Sequence, residues 1–144
     1  MATAGTGAPI GPTQDETTFA SLAHFLQLVT WFIGPLVIYF LKRDSRFVAF
    51  HAMQAVLLQV AYTFFVLLSV MVFAVGLIAT LPAGSGSTDS PPGILIFFPL
   101  MWLLIMGGWV LMLYLSISVG IKAARAHWAT YPLLGGWARS IVGA

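Results

Sequence analysis

The chain alternates between long apolar runs and short polar segments, and this alternation predicts its helices. Residues 19–41 contain no charged side chain. At 1.5 Å per residue such a helix reaches about 35 Å, enough to cross a hydrocarbon layer of about 30 Å. Residues 54–81 and 97–121 are further apolar runs of sufficient length. The pattern predicts an all-α integral membrane protein with three transmembrane helices.

Local signals refine the boundaries of these helices. Thr13 followed by Glu16 fits a capping box, in which the hydroxyl and the carboxylate bind free amides of the first helical turn. A proline inside a helix removes one backbone hydrogen bond. We therefore expect kinks at Pro35 and near Pro99, and a helix start at Thr13.

Composition divides the chain into three parts. Residues 1–12 are rich in Gly, Ala, Thr and Pro, which is typical of a flexible tail. Residues 13–125 form the single transmembrane domain. Residues 126–144 are too short and too broken to span. Their aromatic side chains, which include Tyr131, and Arg139 suit the headgroup layer, so we expect an interfacial tail.

Charge excludes several classes of protein. Charged residues make up 7% of the chain, against about 25% in soluble domains. The formal charge of +2 is too small for a nucleic-acid-binding protein, and the basic residues flank apolar runs. The chain has no cysteine, which excludes disulfides and thiolate metal sites. The partners that remain are lipids and other integral membrane subunits.

The basic residues indicate orientation, because lysine and arginine favour the cytoplasmic side. Five of them flank the predicted spans: Lys42, Arg43, Arg46, Lys122 and Arg125. We therefore expect a multi-pass protein of the bacterial inner membrane, with the amino terminus outside and the carboxyl terminus in the cytoplasm.

Polar and small residues recur on one side of the predicted helices. Such groups are costly against lipid and suit contacts between helices. The candidate interaction residues are His24, Gln27, Trp31, Gly34, His51, Gln54, Gln59, Ser116 and Gly120.

No catalytic or metal site is predicted. All four carboxylates lie at or beyond membrane edges, so no pair can perform acid–base chemistry in a water-free cleft. If residues 19–41 span the membrane, His24 and His51 lie about 25 Å apart in depth and cannot share a metal. Each could still give one axial ligand to a haem or a (bacterio)chlorophyll shared with a partner. We predict no other cofactor, and no enzymatic activity.

Several short phrases resemble a known family. They are residues 21–24 (SLAH), 34–36 (GPL), 41–45 (LKRDS), 51–55 (HAMQA) and 121–125 (IKAAR), followed by Tyr131 and Pro132. In order and spacing they are similar to the small bacterial membrane proteins related to the chloroplast inner-envelope translocon protein Tic-twenty. This resemblance implies a small helical membrane protein, and plastid relatives are implicated in protein import.

These observations favour a non-catalytic membrane subunit that stabilises a larger complex, for example a photosynthetic or respiratory one. A first alternative is a component of a translocation or channel assembly, which would act as a homo-oligomer. A second alternative is a pigment- or haem-binding subunit that uses His24 or His51.

Overall fold

The computed structural model describes residues 11–79 and 93–143. Within these ranges the chain forms five α-helices: α1 (Gln14–Thr30), α2 (Ile33–Leu41), α3 (Arg46–Ala79), α4 (Gly93–Ala124) and α5 (Leu134–Val142). The expected all-helical fold is confirmed. The predicted flexible tail, apart from its last two residues, and the polar linker between the second and third spans lie outside the described residues.

Two of these helices are long and apolar enough to cross a membrane: α3 and, within α4, Leu95–Ala124. They contain the described part of the second predicted span, residues 54–79, and the whole of the third. Helix α4 begins before Pro99 and continues through it, whereas the sequence pattern predicted a start near that proline. An apolar helix can contain a proline because local adjustments satisfy the freed carbonyl.

The first predicted span is not a single helix. It is divided at Trp31 and Phe32 into α1 and α2, which pack against each other as a helical hairpin. The two helices have 17 and 9 residues, about 25 Å and 13 Å. The prediction of a continuous helix over residues 19–41 is therefore wrong.

The position of the break follows from Pro35. A proline ring collides with the carbonyl group four residues earlier, which here belongs to Trp31. The chain leaves the helix at Trp31, with a φ of 59°, and Pro35 then falls in the first turn of α2, where no backbone donor is needed. The proline thus causes a reversal of the chain four residues upstream, in place of the expected kink.

The hairpin brings its two ends together. The Lys42 ammonium contacts the Asp15 carboxylate at 2.7 Å, and the Ser45 hydroxyl donates to Glu16 Oε1 at 2.6 Å. The predicted capping box is confirmed, because the hydroxyl of Thr13 accepts from the Glu16 amide. Hydrogen bonds from Ser45 and Thr13 lower the pKa of Glu16.

This closure differs from the separation expected for the two ends of the first predicted span. The start of α1 and the segment between α2 and α3 were expected on opposite faces of the membrane. In the structure Asp15 contacts Lys42 and Glu16 contacts Ser45, so these two segments lie next to each other.

The chain divides into two compact units. The first, which we call the polar-cored unit, comprises residues 11–59 and 114–143 of the described chain. The second, the apolar unit, comprises residues 60–79 and 93–113. In the polar-cored unit, small side chains let the helices approach: Ala23 of α1 clusters with Ile38 of α2 and Ala52 of α3.

The segment after α4 folds back onto the polar-cored unit. Trp128 packs on the rings of Phe47 and Phe50, with centroids 5.1 and 5.4 Å away. Tyr131 is 2% exposed, and Arg139 of α5 lies over the Phe50 ring at 5.7 Å. Tyr131 was expected at the lipid headgroups. It is buried instead because its hydroxyl finds partners inside the unit.

Candidate functional site

A hydrogen-bonded network of polar side chains occupies the interior of the polar-cored unit. Its members come from three helices and from the segment after α4, and none is more than 4% exposed. They are His24 and Gln27 of α1, His51, Gln54 and Gln59 of α3, Ser116 of α4, and Tyr131.

The central part of the network is a line of three rings. The Tyr131 hydroxyl lies 2.7 Å from His24 Nδ1. His24 Nε2 lies 3.1 Å from His51 Nδ1. His51 Nε2 lies 3.2 Å from the backbone carbonyl oxygen of His127. The line therefore connects α1, α3 and the segment after α4.

The carbonyl group at the end of this line fixes the direction of every hydrogen bond in it. A carbonyl oxygen can only accept, so His51 Nε2 carries the proton and His51 Nδ1 is the acceptor. His24 Nε2 then donates to His51, and His24 Nδ1 accepts from the Tyr131 hydroxyl. The Gln27 amide in turn donates to Tyr131 at 3.1 Å and to the Ser116 hydroxyl at 2.7 Å. Every group in the line is satisfied while both imidazoles are neutral.

Two glutamines attach backbone segments to α3. Gln54 donates to the Ala129 carbonyl at 3.1 Å and accepts from the Tyr131 amide at 2.8 Å. Gln59 donates to the Gln27 carbonyl at 2.7 Å. Gln27 lies in the last turn of α1, where carbonyls lack partners within the helix. These bonds hold the end of α1 and the segment after α4 against one face of α3.

Aromatic rings enclose the histidine pair. His51 lies edge-on to Phe47 and Phe50, with centroids 4.7 and 5.3 Å away, and Trp128 covers both phenylalanines. Burial raises the pKa of the Tyr131 hydroxyl, so this group stays protonated and can donate. The surroundings therefore favour uncharged donors and acceptors throughout.

The chemistry of the site is that of a structural clamp. The network contains no carboxylate, and the described residues contain no group of three or more His, Cys, Asp or Glu side chains placed to hold a metal ion. Both ring nitrogens of His24 and His51 are engaged in hydrogen bonds. An axial bond to a haem or pigment would have to displace one of these partners.

The predicted separation of His24 and His51 is wrong. Their rings are in direct contact, with centroids 5.3 Å apart. The expected distance of about 25 Å assumed a continuous helix over residues 19–41, and the hairpin returns the chain to the level at which it entered. Tyr131 was not among the candidate site residues. The sequence had placed it in the interfacial tail and, with Pro132, among the phrases that carried the family resemblance.

The remaining candidate interaction residues have separate positions. A β-carbon at Gly34 would collide with the Thr30 hydroxyl, and one at Gly120 would lie 3.2 Å from His24 Cβ. Both glycines therefore serve close contacts within the chain. Trp31 is 52% exposed at the tip of the hairpin. Docking of other subunits through these residues stays a prediction, and Trp31 is the member of the set that offers an exposed side chain.

The basic residues lie at the surface of the polar-cored unit. Lys42 is half-buried in its ion pair with Asp15. The four others are exposed: Arg43, Arg46, Lys122 and Arg125.

Comparison with known proteins identifies a family. Residues 15–138, most of the chain, match the model of the magnetosome magnetite crystal formation protein family. Comparisons with curated proteins and with solved structures give no match. The resemblance to Tic-twenty-related proteins was therefore wrong, because the matching family is a different one. The short phrases that suggested it lie inside the matched range. No single one of them is specific to one family.

Proposed function

The chain belongs to the magnetosome magnetite crystal formation protein family, and on that premise we propose that it is a non-catalytic subunit of the magnetosome membrane. In this role it supports magnetite crystal formation by packing against neighbouring membrane proteins. The observation that carries the proposal is the family match, which includes nearly all of the polar-cored unit. The network supports it, since uncharged donors and acceptors suit a scaffold better than an acid–base catalyst.

The proposed membrane arrangement has two spans, α3 and α4. Arg46 begins α3, and Lys122 and Arg125 mark the end of α4. Because basic residues favour the cytoplasmic side, we place this end of both helices in the cytoplasm. The start of α1 lies there too, since Asp15 pairs with Lys42. Both ends of the described chain then face the cytoplasm.

The surface proposed for partner docking belongs to α4 in the apolar unit. Gly107 is exposed, and a β-carbon there would meet no atom within 4 Å. A small residue on an exposed apolar helix lets another helix approach closely. Leu103 and Val110, 72% and 59% exposed, extend the apolar surface around it.

A complementation experiment tests this function. In a magnetosome-forming bacterium that lacks the gene, the wild-type chain should restore magnetite crystal size and number in electron micrographs. Mild solubilisation and native mass analysis should find it in a stoichiometric complex with other membrane proteins. Restored crystals with the chain running as a lone monomer would contradict the docking role, and unchanged crystals would contradict the role in mineral formation.

Two matched variants locate the docking surface. Gly107→Leu adds bulk to the exposed face of α4 and should release the chain from the complex without unfolding it. Ala61→Leu places the same leucine side chain at an exposed position of α3 and should leave the complex intact. Equal effects of the two variants would show that the α4 face is not the docking surface.

The same cells can test the membrane arrangement, because the chain has no native cysteine. Single cysteines at Gln14, Asp44 and Ser140 should react with an impermeant maleimide from the cytoplasmic side. A cysteine at Ser87 should react from the other side. Labelling of Gln14 and Asp44 from opposite sides would contradict the proposed arrangement.

A further inference from the structure

The α1–α2 hairpin has an apolar, uncharged outer surface. No charged residue occurs between Glu16 and Lys42. Large apolar side chains project outward along both helices. They include Leu22, Val29, Ile33, Val37, Phe40 and Leu41, from 40% to 86% exposed. The charged groups are gathered at the open end, where Asp15 meets Lys42.

The turn of the hairpin is also adapted to apolar surroundings. Backbone groups freed by a helix break are expensive in hydrocarbon unless the protein satisfies them. Here the Thr30 hydroxyl accepts from the Gly34 amide at 3.1 Å and donates to the Leu26 carbonyl at 2.8 Å. The Gln59 side chain donates to the Gln27 carbonyl. These three backbone groups near the tip are thus paired inside the unit.

The hairpin has the length of one leaflet. From Phe19 to Thr30, α1 rises about 17 Å, and α2 rises about 13 Å, while half of the hydrocarbon layer is about 15 Å. A side-chain bond to α3 is made at Gln59, about 20 Å along that helix from Arg46. Helix α3 itself, with 34 residues, is about 50 Å long.

We propose that the α1–α2 hairpin inserts into a single leaflet, the one next to the basic residues, and that the protein therefore favours membranes that are convex on that side. The occupant of the hairpin's outer surface is lipid acyl chain. Two helices of about 10–12 Å diameter add roughly 200 Å² of cross-section to one leaflet and none to the other. Binding of this kind depends on membrane curvature. The inference rests on the proposed two-span arrangement, but not on the role in mineral formation.

The depth of the hairpin is tested first, with the full chain reconstituted in vesicles of phosphatidylethanolamine and phosphatidylglycerol. Nitroxide labels at Val29→Cys and Phe40→Cys, both exposed positions, report depth through their accessibility to oxygen and to a polar nickel complex. Val29 should lie near the bilayer midplane, and Phe40 near the headgroups. A water-accessible label at Val29 would overturn the inference together with the proposed arrangement. Dipolar broadening between Val29 labels would overturn lipid as the occupant, since a second copy would then cover the surface.

The curvature preference is tested with membrane tubes pulled outward from giant vesicles of the same lipids. An impermeant fluorophore on Asp44→Cys marks only those copies whose basic end faces outward, and the same fluorophore on Ser87→Cys marks the opposite orientation. Copies labelled at Asp44 should be enriched on the tube about twofold relative to the flat membrane, and copies labelled at Ser87 should be depleted. Equal distribution of the two populations would overturn the curvature preference. It would leave the depth measurement and the proposed function standing.

Discussion

The two units are built partly from the same helices, α3 and α4, and yet buried polar side chains contribute to them very differently. In the polar-cored unit, α3 contributes His51, Gln54 and Gln59 to a network that reaches three other segments. In the apolar unit, the buried Ser69 bonds to the Phe65 carbonyl of its own helix, and the Tyr62 hydroxyl at the edge of the unit donates to the Ile105 carbonyl of α4 at 3.2 Å. Side chains between α3 and α4 there leave an apolar groove of about 290 Å³ beside Phe65 and Phe97.

This difference shows what specifies a structure in a membrane. Apolar side chains gain little by leaving lipid for one another, so they cannot by themselves select one arrangement of helices. Hydrogen bonds between helices can, because a mispaired donor or acceptor has no water to bind. We therefore attribute the unique packing of the polar-cored unit to its network, and expect the exposed side chains of the apolar unit to meet lipid and, at the α4 face around Gly107, the proposed partner helix.

The largest effect is expected for His51→Ala. This change removes a ring packed on Phe47 and leaves the His24 donor and the His127 carbonyl unpaired. It should lower the free energy of unfolding in mixed micelles by about 3 kcal/mol. The control is His127→Ala, since this exposed residue contributes only its backbone and should change stability by less than about 0.5 kcal/mol. Similar losses in both variants would disprove the network's role.

A smaller effect is expected for Tyr131→Phe, which deletes one oxygen. Loss of the hydroxyl leaves His24 Nδ1 and one Gln27 donor without this partner, and should cost about 2 kcal/mol. Tyr114→Phe removes the same oxygen from a side chain that is 67% exposed and should be nearly neutral. The same unfolding titration compares them. If Tyr131→Phe is as stable as the wild type, the Tyr131 hydroxyl does not help to hold the network together.

The smallest effect is expected for Ser69→Ala in the apolar unit. Because its hydroxyl bonds within α3, removing it breaks no link between helices, and the change in unfolding free energy should stay below about 0.5 kcal/mol. Ser69 is 8% exposed, so burial alone does not predict this result. A loss as large as that of Tyr131→Phe would remove the contrast between the two units.

The sequence predicted correctly those features that depend only on residues close to each other along the chain. The capping box of Thr13 and Glu16 and the apolar lengths of α3 and α4 are of this kind. The polar residues singled out on α1 and α3 lie buried inside the polar-cored unit. Their partners could not be inferred, because the pairing depends on how the chain returns.

The hairpin was missed for a physical reason. An uncharged run such as residues 19–41 has the same composition whether it crosses the membrane once or enters and returns. The break occurs at Trp31 with a positive φ, a conformation that tryptophan does not favour. The neighbouring residues do not predict it. Pro35 does indicate an interruption of the helix, but a proline is compatible with a kink as well as with a reversal of the chain. Tyr131 was missed with it, since its partner His24 was placed at the other face.

The distance between the two ends of the hairpin tests most directly whether residues 14–44 fold back on themselves. Spin labels at Gln14→Cys and Asp44→Cys, next to the ion pair of Asp15 and Lys42, can be measured by pulsed dipolar spectroscopy in reconstituted bilayers. The hairpin should place the two labels less than about 20 Å apart. A continuous transmembrane helix would place the two labels about 45 Å apart, and that result would contradict the hairpin and the polar-cored unit built on it.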